Sequence, residues 1–465
     1  MTAAGLAIDV FYVGTRHGRP DSSSPERMAA GLQSVQRRRA QDAAEEAELI
    51  MALAAARPAT GDPALGTPGA RKRGWAVDEG YDGASEFFTT ELSAVLSLGR
   101  GTAGYRYRRA RTWTTKLPLT FAALSVGEID ERRAAVLAEV LEHTNAETAG
   151  QVEAALIGEA TDLSVARLKA RATEEMLRLD SAAADERREA AEKAADVHLY
   201  PSATDGRATL ATDLPADEAV ECFDVVDQLA RMLKADGDER PIGQLRAHVA
   251  SMLLRRPADN GLPPVGANLT VMASLDALEG GITPGEVNGL PITAAHLREL
   301  LARVGALGLT TPDGGELSYA ITGPDGELLA TLTPAELARL AKKDGPVAGP
   351  PPATHAYEPT DKQRAFVTAR DRRCRFPNCG QRVAWTDLDH VTSHACGGAT
   401  DCTNLCCLCR SHHRLKTFAR GWRFRIDDDG TLHVTAPSGV TRTTRPPGLR
   451  PPPARSSPAD DPPPF

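Results

Sequence analysis

Hydrophobic positions recur at helical spacing through most of the N-terminal half of the chain. A pattern rich in Ala, Glu and Arg predicts a helix near 28–56, and 91–113 predicts two helices separated by a glycine-containing break at 99–101. Further helical patterns lie at 129–144, at 163–196 and after Pro215, with a predicted strand at 207–214. These patterns predict a mainly α N-terminal domain.

The composition shifts to Gly, Pro and Thr between 256 and 345, where short runs predict strands. A hairpin is predicted at 316–332, Thr333 is expected to cap a short helix, and alternation at 422–435 predicts a second hairpin. The predicted fold class is a mainly α N-terminal domain with a small α+β segment, followed by a small α+β module. The predicted regions are a helical and linker region at 1–80, a mostly helical domain at 81–345, a Pro-rich linker at 346–360, the module at 361–436 and a disordered Pro-rich tail at 437–465.

The net charge of −8 is distributed unevenly along the chain. From 361 to 425 there are 13 Lys and Arg residues against 5 Asp, a balance of +8, so the rest of the chain carries −16. Because a phosphate backbone attracts clustered basic side chains, this region is the better candidate for binding nucleic acid. The helix expected after 101 also carries arginines between aromatic residues, which suits either a DNA backbone or rings packed inward beneath a solvated basic face.

Membrane and export signals are not evident in the pattern. No run reaches the about 18 apolar residues of a membrane span, and the first residues lack the charged and cleavage features of a signal peptide. Seven of the eight cysteines lie between 374 and 413, at spacings that suit a metal better than disulfides. We therefore expect a cytoplasmic protein without a membrane span.

Two pairs of residues in this stretch have the spacing of zinc ligands. Cys374 and Cys379 are separated by four residues, and Cys409 and His412 by two, so each pair can turn onto one ion. The module at 361–436 is small and has a small apolar core, so it needs such a structural zinc for stability. Cys406 also stands two residues before Cys409, so the pair Cys406 and Cys409 is an alternative.

The residues between and after these pairs resemble the HNH endonucleases, whose ββα-metal motif has a zinc frame of this kind. The resemblance rests on Asp389-His390, the following glycine pair, Asn404 and His413. It implies that His390 is the general base of phosphodiester cleavage and that Asp389 and His413 hold a catalytic Mg²⁺ or Mn²⁺. It further implies that Asn404 orients the imidazole or assists the metal. It also favours His412 as the fourth zinc ligand, because the family places that ligand directly before the last histidine.

The chain also resembles bacterial proteins of the 13E12 repeat family, which join a helical domain of unknown function 222 to a C-terminal HNH module. The resemblance covers roughly 80–425, and RDRRCRFPNC, DLDHV, GGATDCTNL and LCRSHHRLKT carry it most closely. It implies a nuclease but says little about the substrate. Arg410, Arg414 and Lys416 follow the motif, and basic side chains beside a phosphate-cleaving site are expected to hold a DNA backbone. Two alternatives are a zinc-containing DNA-binding module that does not cleave, and a regulatory or protein-interaction role centred on the helical domain.

Overall fold

A computed structural model describes residues 24–64, 66–70, 83–180, 192–193, 195–202, 204, 206–255, 270–305, 316–323, 326–340 and 349–449. The described residues form two compact units. One unit comprises 24–56 and 105–180, and the other comprises the described parts of 57–70, 83–104 and 192–449. Three of the stretches discussed above lie outside the described residues. They are the first residues, which lack signal-peptide features, residues 181–191 of the helix predicted at 163–196, and the tail beyond 449.

The described helices are α1 (Pro25–Ala55), α2 (Phe88–Leu96), α3 (Arg100–Lys116), α4 (Pro118–Val126), α5 (Glu131–Leu141), α6 (Ala146–Leu156), α7 (Val165–Leu179), α8 (Ala216–Ala235), α9 (Ile242–Leu254), α10 (Leu275–Leu278), α11 (Ala294–Arg303), α12 (Pro334–Leu340), α13 (Asp361–Asp371) and α14 (Arg410–Phe418). The described strands are β1 (Val197–Pro201), β2 (Ala208–Thr212), β3 (Val271–Met272), β4 (Gly285–Val287), β5 (Leu290–Ile292), β6 (Tyr319–Thr322), β7 (Leu328–Leu332), β8 (Thr386–His390), β9 (Leu405–Cys409), β10 (Arg423–Ile426), β11 (Leu432–Thr435) and β12 (Thr441–Thr444). Helices dominate the N-terminal part, and the small antiparallel sheets lie mostly in the C-terminal part.

The first unit is a helical assembly built around buried apolar side chains. Trp113 of α3 is fully buried and donates its indole N–H to the carbonyl of Ala134 in α5 at 2.8 Å. The helices begin at polar caps, since Asp130, Asn145 and Ser164 each accept a backbone N–H of the first turn. The local pattern therefore gives both the ends and the buried faces of these helices.

The arginine-rich helix α3 turns its aromatic rings inward. Tyr107 and Trp113 are buried. The nearby guanidinium groups form ion pairs within the same unit: Arg106 with Glu46, Arg108 with Glu142 and Arg109 with Glu131. The interpretation in which the rings pack inward is confirmed, and these three arginines are engaged by carboxylates.

Most of the strands and hairpins predicted in the second unit are confirmed. The predicted strand at 207–214 is β2, which pairs with β1, and the predicted hairpin at 316–332 is β6 paired with β7. Thr333 caps α12 as expected, because its hydroxyl accepts the backbone N–H of Glu336, whose carboxylate accepts the backbone N–H of Thr333. The sequence pattern thus locates these short elements correctly.

The C-terminal part consists of the hairpin β8–β9, helix α14 directly after it, and the antiparallel sheet β10–β11–β12. Strand β12 lies beyond 436, where the sequence predicts a disordered tail. Its backbone pairs with β11 along Thr441–Thr444, and the carbonyl of Thr444 accepts from the guanidinium of Arg375. The predicted disordered tail at 437–465 is therefore wrong for residues up to 449. The β-branched threonines of β12 form the edge strand of the sheet.

Two distant segments of the second unit pack on this C-terminal part. Phe87, just before α2, is buried in the same apolar cluster as Phe376, Leu408 and Leu415. Arg442 of β12 donates to the carbonyls of Ala94 and Val95 at the end of α2. The small apolar core of the C-terminal part thus includes side chains from near the start of the described chain.

In the part of the chain that the structure describes, no helix combines the length and hydrophobicity needed to cross a membrane.

Candidate metal centres and active site

The hairpin β8–β9 brings two groups of polar side chains together around helix α14. The strands pair antiparallel, with Asp389 opposite Cys406 and His390 opposite Leu405. Because side chains alternate along a strand, Asp387 and Asp389 point to one face. His390 ends the strand, and its imidazole lies close enough to Asp389 and Lys416 to feel their charges. Helix α14 starts directly after β9 and carries His412 and His413 in its first turn.

Cys374, Cys379, Cys409 and His412 come together as one cluster. Their ligand atoms all lie within 4.8 Å of one another, and Nδ1 of His412 is 3.5 Å from Sγ of Cys374 and 3.1 Å from Sγ of Cys409. Zinc–sulfur bonds of about 2.3 Å and zinc–nitrogen bonds of about 2.0 Å in a tetrahedron require ligand separations of about 3.5–3.8 Å. The cluster could therefore hold a metal ion such as zinc.

The thiols of this cluster strongly affect one another's pKa. Hydrogen bonds with the thiols of Cys379 and Cys409, together with burial, raise the pKa of Cys374 far above its ordinary value. The same contacts, from Cys374 and then Cys379, lower the pKa of Cys409. A divalent ion bound in this cluster would favour ionisation of the thiols. The ring of Phe376 stacks on the imidazole of His412, with 3.9 Å between centroids and an interplanar angle of 5°. This contact restricts rotation of the imidazole, whose Nδ1 faces the sulfurs.

Cys406 is placed apart from this cluster. The alternative pairing of Cys406 with Cys409 rests on their spacing, but both belong to β9, where residues three apart point to opposite faces. Cys406 is fully buried among the apolar side chains around Phe376 and Leu408. The residues that the structure brings together as possible ligands are therefore those of the first set, with His412.

The second group consists of two carboxylates on either side of His413. Nδ1 of His413 lies 2.9 Å from Oδ2 of Asp387, and Nε2 lies 3.4 Å from Oδ1 of Asp389. Lys416, one turn further along α14, places its ammonium 3.0 Å from Oδ2 of Asp389. The hydrogen bond with His413 lowers the pKa of Asp387 against the opposing effect of burial. Asp387 was not among the predicted residues, although its period-two spacing from Asp389 indicates a shared face.

One carboxylate of this second group is buried and not fully hydrogen-bonded. Asp389 is buried, and its Oδ2 has no hydrogen-bond partner among the described atoms, so Lys416 compensates it only as an ion pair. In an octahedral site with bonds of about 2.1 Å, neighbouring ligand atoms are about 3 Å apart. The observed 3.4 Å between Nε2 of His413 and Oδ1 of Asp389 is near that value. Asp387 holds the imidazole of His413 from its far side, through Nδ1.

His390 is the last residue of β8 and is buried. Its Nε2 lies 2.8 Å from the hydroxyl of Thr400, and its ring stacks on Tyr357 at 5.4 Å between centroids. Burial lowers the pKa of His390, while the charge of Asp389 opposes this effect. A neutral imidazole is therefore favoured at physiological pH, which is the form that can accept a proton. The neighbouring His394 lies at the edge of this ring, 5.7 Å away.

Asn404 binds the loop backbone between the strands. Its side-chain amide accepts the backbone N–H of Thr392 and donates to the carbonyls of Thr392 and Ala399. Gly398 is required here, since an added Cβ would lie 1.9 Å from the carbonyl oxygen of Thr392. The described contacts of Asn404 thus fix the loop, and its effect on the imidazole or the metal is indirect.

The three basic residues expected to hold a nucleic acid backbone have different surroundings. Arg410 is 70% exposed and pairs with Asp387 at 3.3 Å. Arg414 is engaged by the carboxylate of Glu86 and the carbonyl of Gly69. Lys416 donates to the carbonyl of His390 and pairs with Asp389. Arg410 is therefore the residue of the three with a solvent-facing guanidinium, while Lys416 belongs to the carboxylate group.

A cavity of about 530 Å³ opens beside the cysteine cluster. Arg100 and Arg410 lie on its wall with Trp385, whose side chain is 72% exposed. An exposed aromatic ring beside guanidinium groups is the combination that stacks on bases and attracts phosphate.

The chain matches the family described as "Domain of unknown function (DUF222)" over residues 38–371. Because this match covers well over half of the sequence, the chain belongs to that family. The match ends three residues before Cys374, so it does not include the metal-binding residues described above.

Relatives occur in Mycobacterium tuberculosis. "Uncharacterized protein Rv3776" (strain ATCC 25618 / H37Rv) is 30% identical over 392 residues, which cover 80% of this chain and 72% of the relative. "Uncharacterized protein MT2160" (strain CDC 1551 / Oshkosh) is 47% identical over 90 residues, which cover 19% of this chain and only 16% of that relative. No solved structure matches the chain.

Proposed function

We propose that this protein is a metal-dependent DNA endonuclease with an active site of the HNH type, stapled by a structural zinc. The observation that carries the proposal is the pair formed by Asp389 and His413, oriented by Asp387, next to a buried His390. A protein that only binds DNA has no need of a buried carboxylate facing an imidazole on a strand–helix junction. The helical domain would target or regulate cleavage.

The residues divide the work of phosphodiester hydrolysis. A Mg²⁺ or Mn²⁺ ion held by Asp389 and His413 would act as a Lewis acid on the scissile phosphate and the leaving oxygen. His390, kept neutral by burial, takes the proton from the attacking water. Lys416 holds the end of β8 through the carbonyl of His390. Arg410 faces solvent and is placed to contact the DNA backbone.

Cleavage of supercoiled plasmid by the purified full-length protein, with and without added Mg²⁺ or Mn²⁺, tests the proposal. We expect nicking that depends on the added ion. In His390→Ala the nicking rate should fall by a factor of about 100 or more, because a general base contributes about 10²–10⁴-fold. Zinc content should be unchanged, since His390 is outside the cysteine cluster.

His394→Ala is the matched control, because His394 lies in the loop after β8 with its ring next to that of His390. This variant should leave the nicking rate within about threefold of wild type. DNA binding without any cleavage would favour the second candidate, a zinc-containing DNA-binding protein, which the cavity with Trp385 and Arg410 supports. Loss of zinc in His390→Ala would show that the two groups of residues have been divided wrongly.

A further inference from the structure

The buried hydroxyl of Thr400 connects His390 to the segment that precedes α13. Thr400 is fully buried, and its Oγ1 lies 2.8 Å from Nε2 of His390 and 2.6 Å from the carbonyl oxygen of Ala356. The backbone N–H of Thr354 also donates to the carbonyl of Thr400. Both the backbone and the side chain of Thr400 are therefore hydrogen-bonded to the segment that precedes α13. The hydroxyl is therefore held between one imidazole nitrogen and one carbonyl.

These two contacts define where the imidazole proton lies. A hydroxyl has one hydrogen to donate, and a backbone carbonyl can only accept. The proton of Thr400 therefore goes to Ala356, and a lone pair of Oγ1 faces Nε2 of His390. For this short contact to be a hydrogen bond, Nε2 must carry a proton. The lone pair of a neutral His390 is then on Nδ1.

We infer that Thr400 is a positioning residue that holds His390 in its Nε2-protonated tautomer, so that Nδ1 receives the proton of the attacking water. The inference rests on the proposed function for its catalytic consequence, whereas the tautomer itself follows from the hydrogen bonds. The segment at 349–360 is thereby part of the active site, because the carbonyl of Ala356 orients the hydroxyl that orients the ring.

Neighbouring contacts keep this arrangement in place. Tyr357 stacks on the face of His390 with an interplanar angle of 22°, which restricts rotation of the ring. On the other side, Asn404 donates to the carbonyl of Ala399, directly before Thr400. The arrangement of the hydroxyl, the carbonyl and the ring thus depends on Asn404 as well, which gives that residue an indirect role in orienting the imidazole.

The tautomer can be measured without any cleavage assay. Full-length protein labelled with ¹⁵N-histidine is studied by long-range ¹H–¹⁵N correlation without added divalent cation, and the His390 signals are identified by their loss in His390→Ala. We expect the ring proton on Nε2. A wild-type spectrum with the proton on Nδ1 would overturn the inference, whether or not the protein cleaves DNA.

Two variants test the role of the hydroxyl. Thr400→Val should lose the preference for the Nε2 proton and slow nicking about 10- to 100-fold, the range seen when an orienting partner of a functional histidine is removed. KM should stay unchanged because Thr400 is buried. Thr400→Ser keeps the hydroxyl and should keep both the tautomer and the rate within about threefold.

The outcomes separate the two proposals. A wild-type protein that shows the Nε2 proton but does not nick DNA contradicts the nuclease and leaves the positioning of the ring supported. Thr400→Val with an unchanged tautomer and an unchanged rate overturns the role of Thr400. If Thr400→Val does not fold, the wild-type and Thr400→Ser spectra still decide the question.

Discussion

Asp371 offers a sharp test of how the C-terminal part is held together. It is the last residue of α13 and is completely buried. Its carboxylate accepts from the guanidinium groups of Arg370 at 2.8 Å and Arg375 at 2.9 Å, and from the backbone N–H of Cys407 at 2.8 Å. The two arginines are themselves buried and donate onward to carbonyls of the loop before β9 and of β12. One carboxylate thus pairs with two buried cations.

Asp371→Asn removes that charge while keeping the size of the side chain. The amide offers one acceptor and presents donors to groups that are already donors, so the guanidinium groups remain buried without compensation. Breaking a buried ion pair from one side costs about 3–5 kcal/mol. With a urea m-value of about 2–3 kcal/mol/M, the unfolding midpoint should fall by about 1 M or more.

The assay is urea unfolding of the full-length protein, followed by zinc release to a chromogenic chelator, which reports on the C-terminal part alone. Asp361→Asn is the matched control, because Asp361 is exposed in the first turn of the same helix. Its loss should cost less than about 1 kcal/mol. If Asp371→Asn unfolds at the same urea concentration as this control, the three hydrogen bonds do not contribute as argued.

Two further predictions concern the metal-binding residues. Cys374→Ser should release zinc and unfold the C-terminal part, because zinc binding supplies folding free energy; a full zinc content by elemental analysis would exclude this ligand set. His412→Ala should likewise lose zinc, whereas His413→Ala should keep zinc and fold but require more Mg²⁺ or Mn²⁺ for nicking. Neighbouring helical positions point about 100° apart, so the two rings serve different ions. Loss of zinc in Cys406→Ser, with zinc retained in His412→Ala, would contradict the assignment.

Local sequence patterns predict the elements around the site well and its polar connections poorly. The hairpin predicted at 422–435 forms as β10–β11, because alternation decides which side of a strand is buried. Cys406 could not be placed from spacing alone, since a helix and a strand give it different neighbours and the register depends on where β9 ends. The metal-like cluster was identifiable because its four residues are close along the chain in two pairs.

The polar residues around the site follow a different logic. In this strand the motif predicts only Asp389 and His390 as site residues, although the alternation in DLD places Asp387 on the same strand face as Asp389. Thr400 gave no signal, since its role depends on a carbonyl 44 residues away. The contact of Arg414 with Glu86 spans 328 residues, and no local pattern contains information about such a partner.

Those long separations have a consequence for how the protein is made. Arg414 bonds to Gly69 across 345 residues, and Arg442 bonds to Ala94 across 348. At a synthesis rate of about 5–20 residues per second, the early segment leaves the ribosome about 17–70 s before its partner exists. During that interval Phe87 has no apolar cluster to enter. We therefore expect nascent chains paused before 374 to expose this segment to proteases and chaperones, and to lose that sensitivity once the last strand is complete.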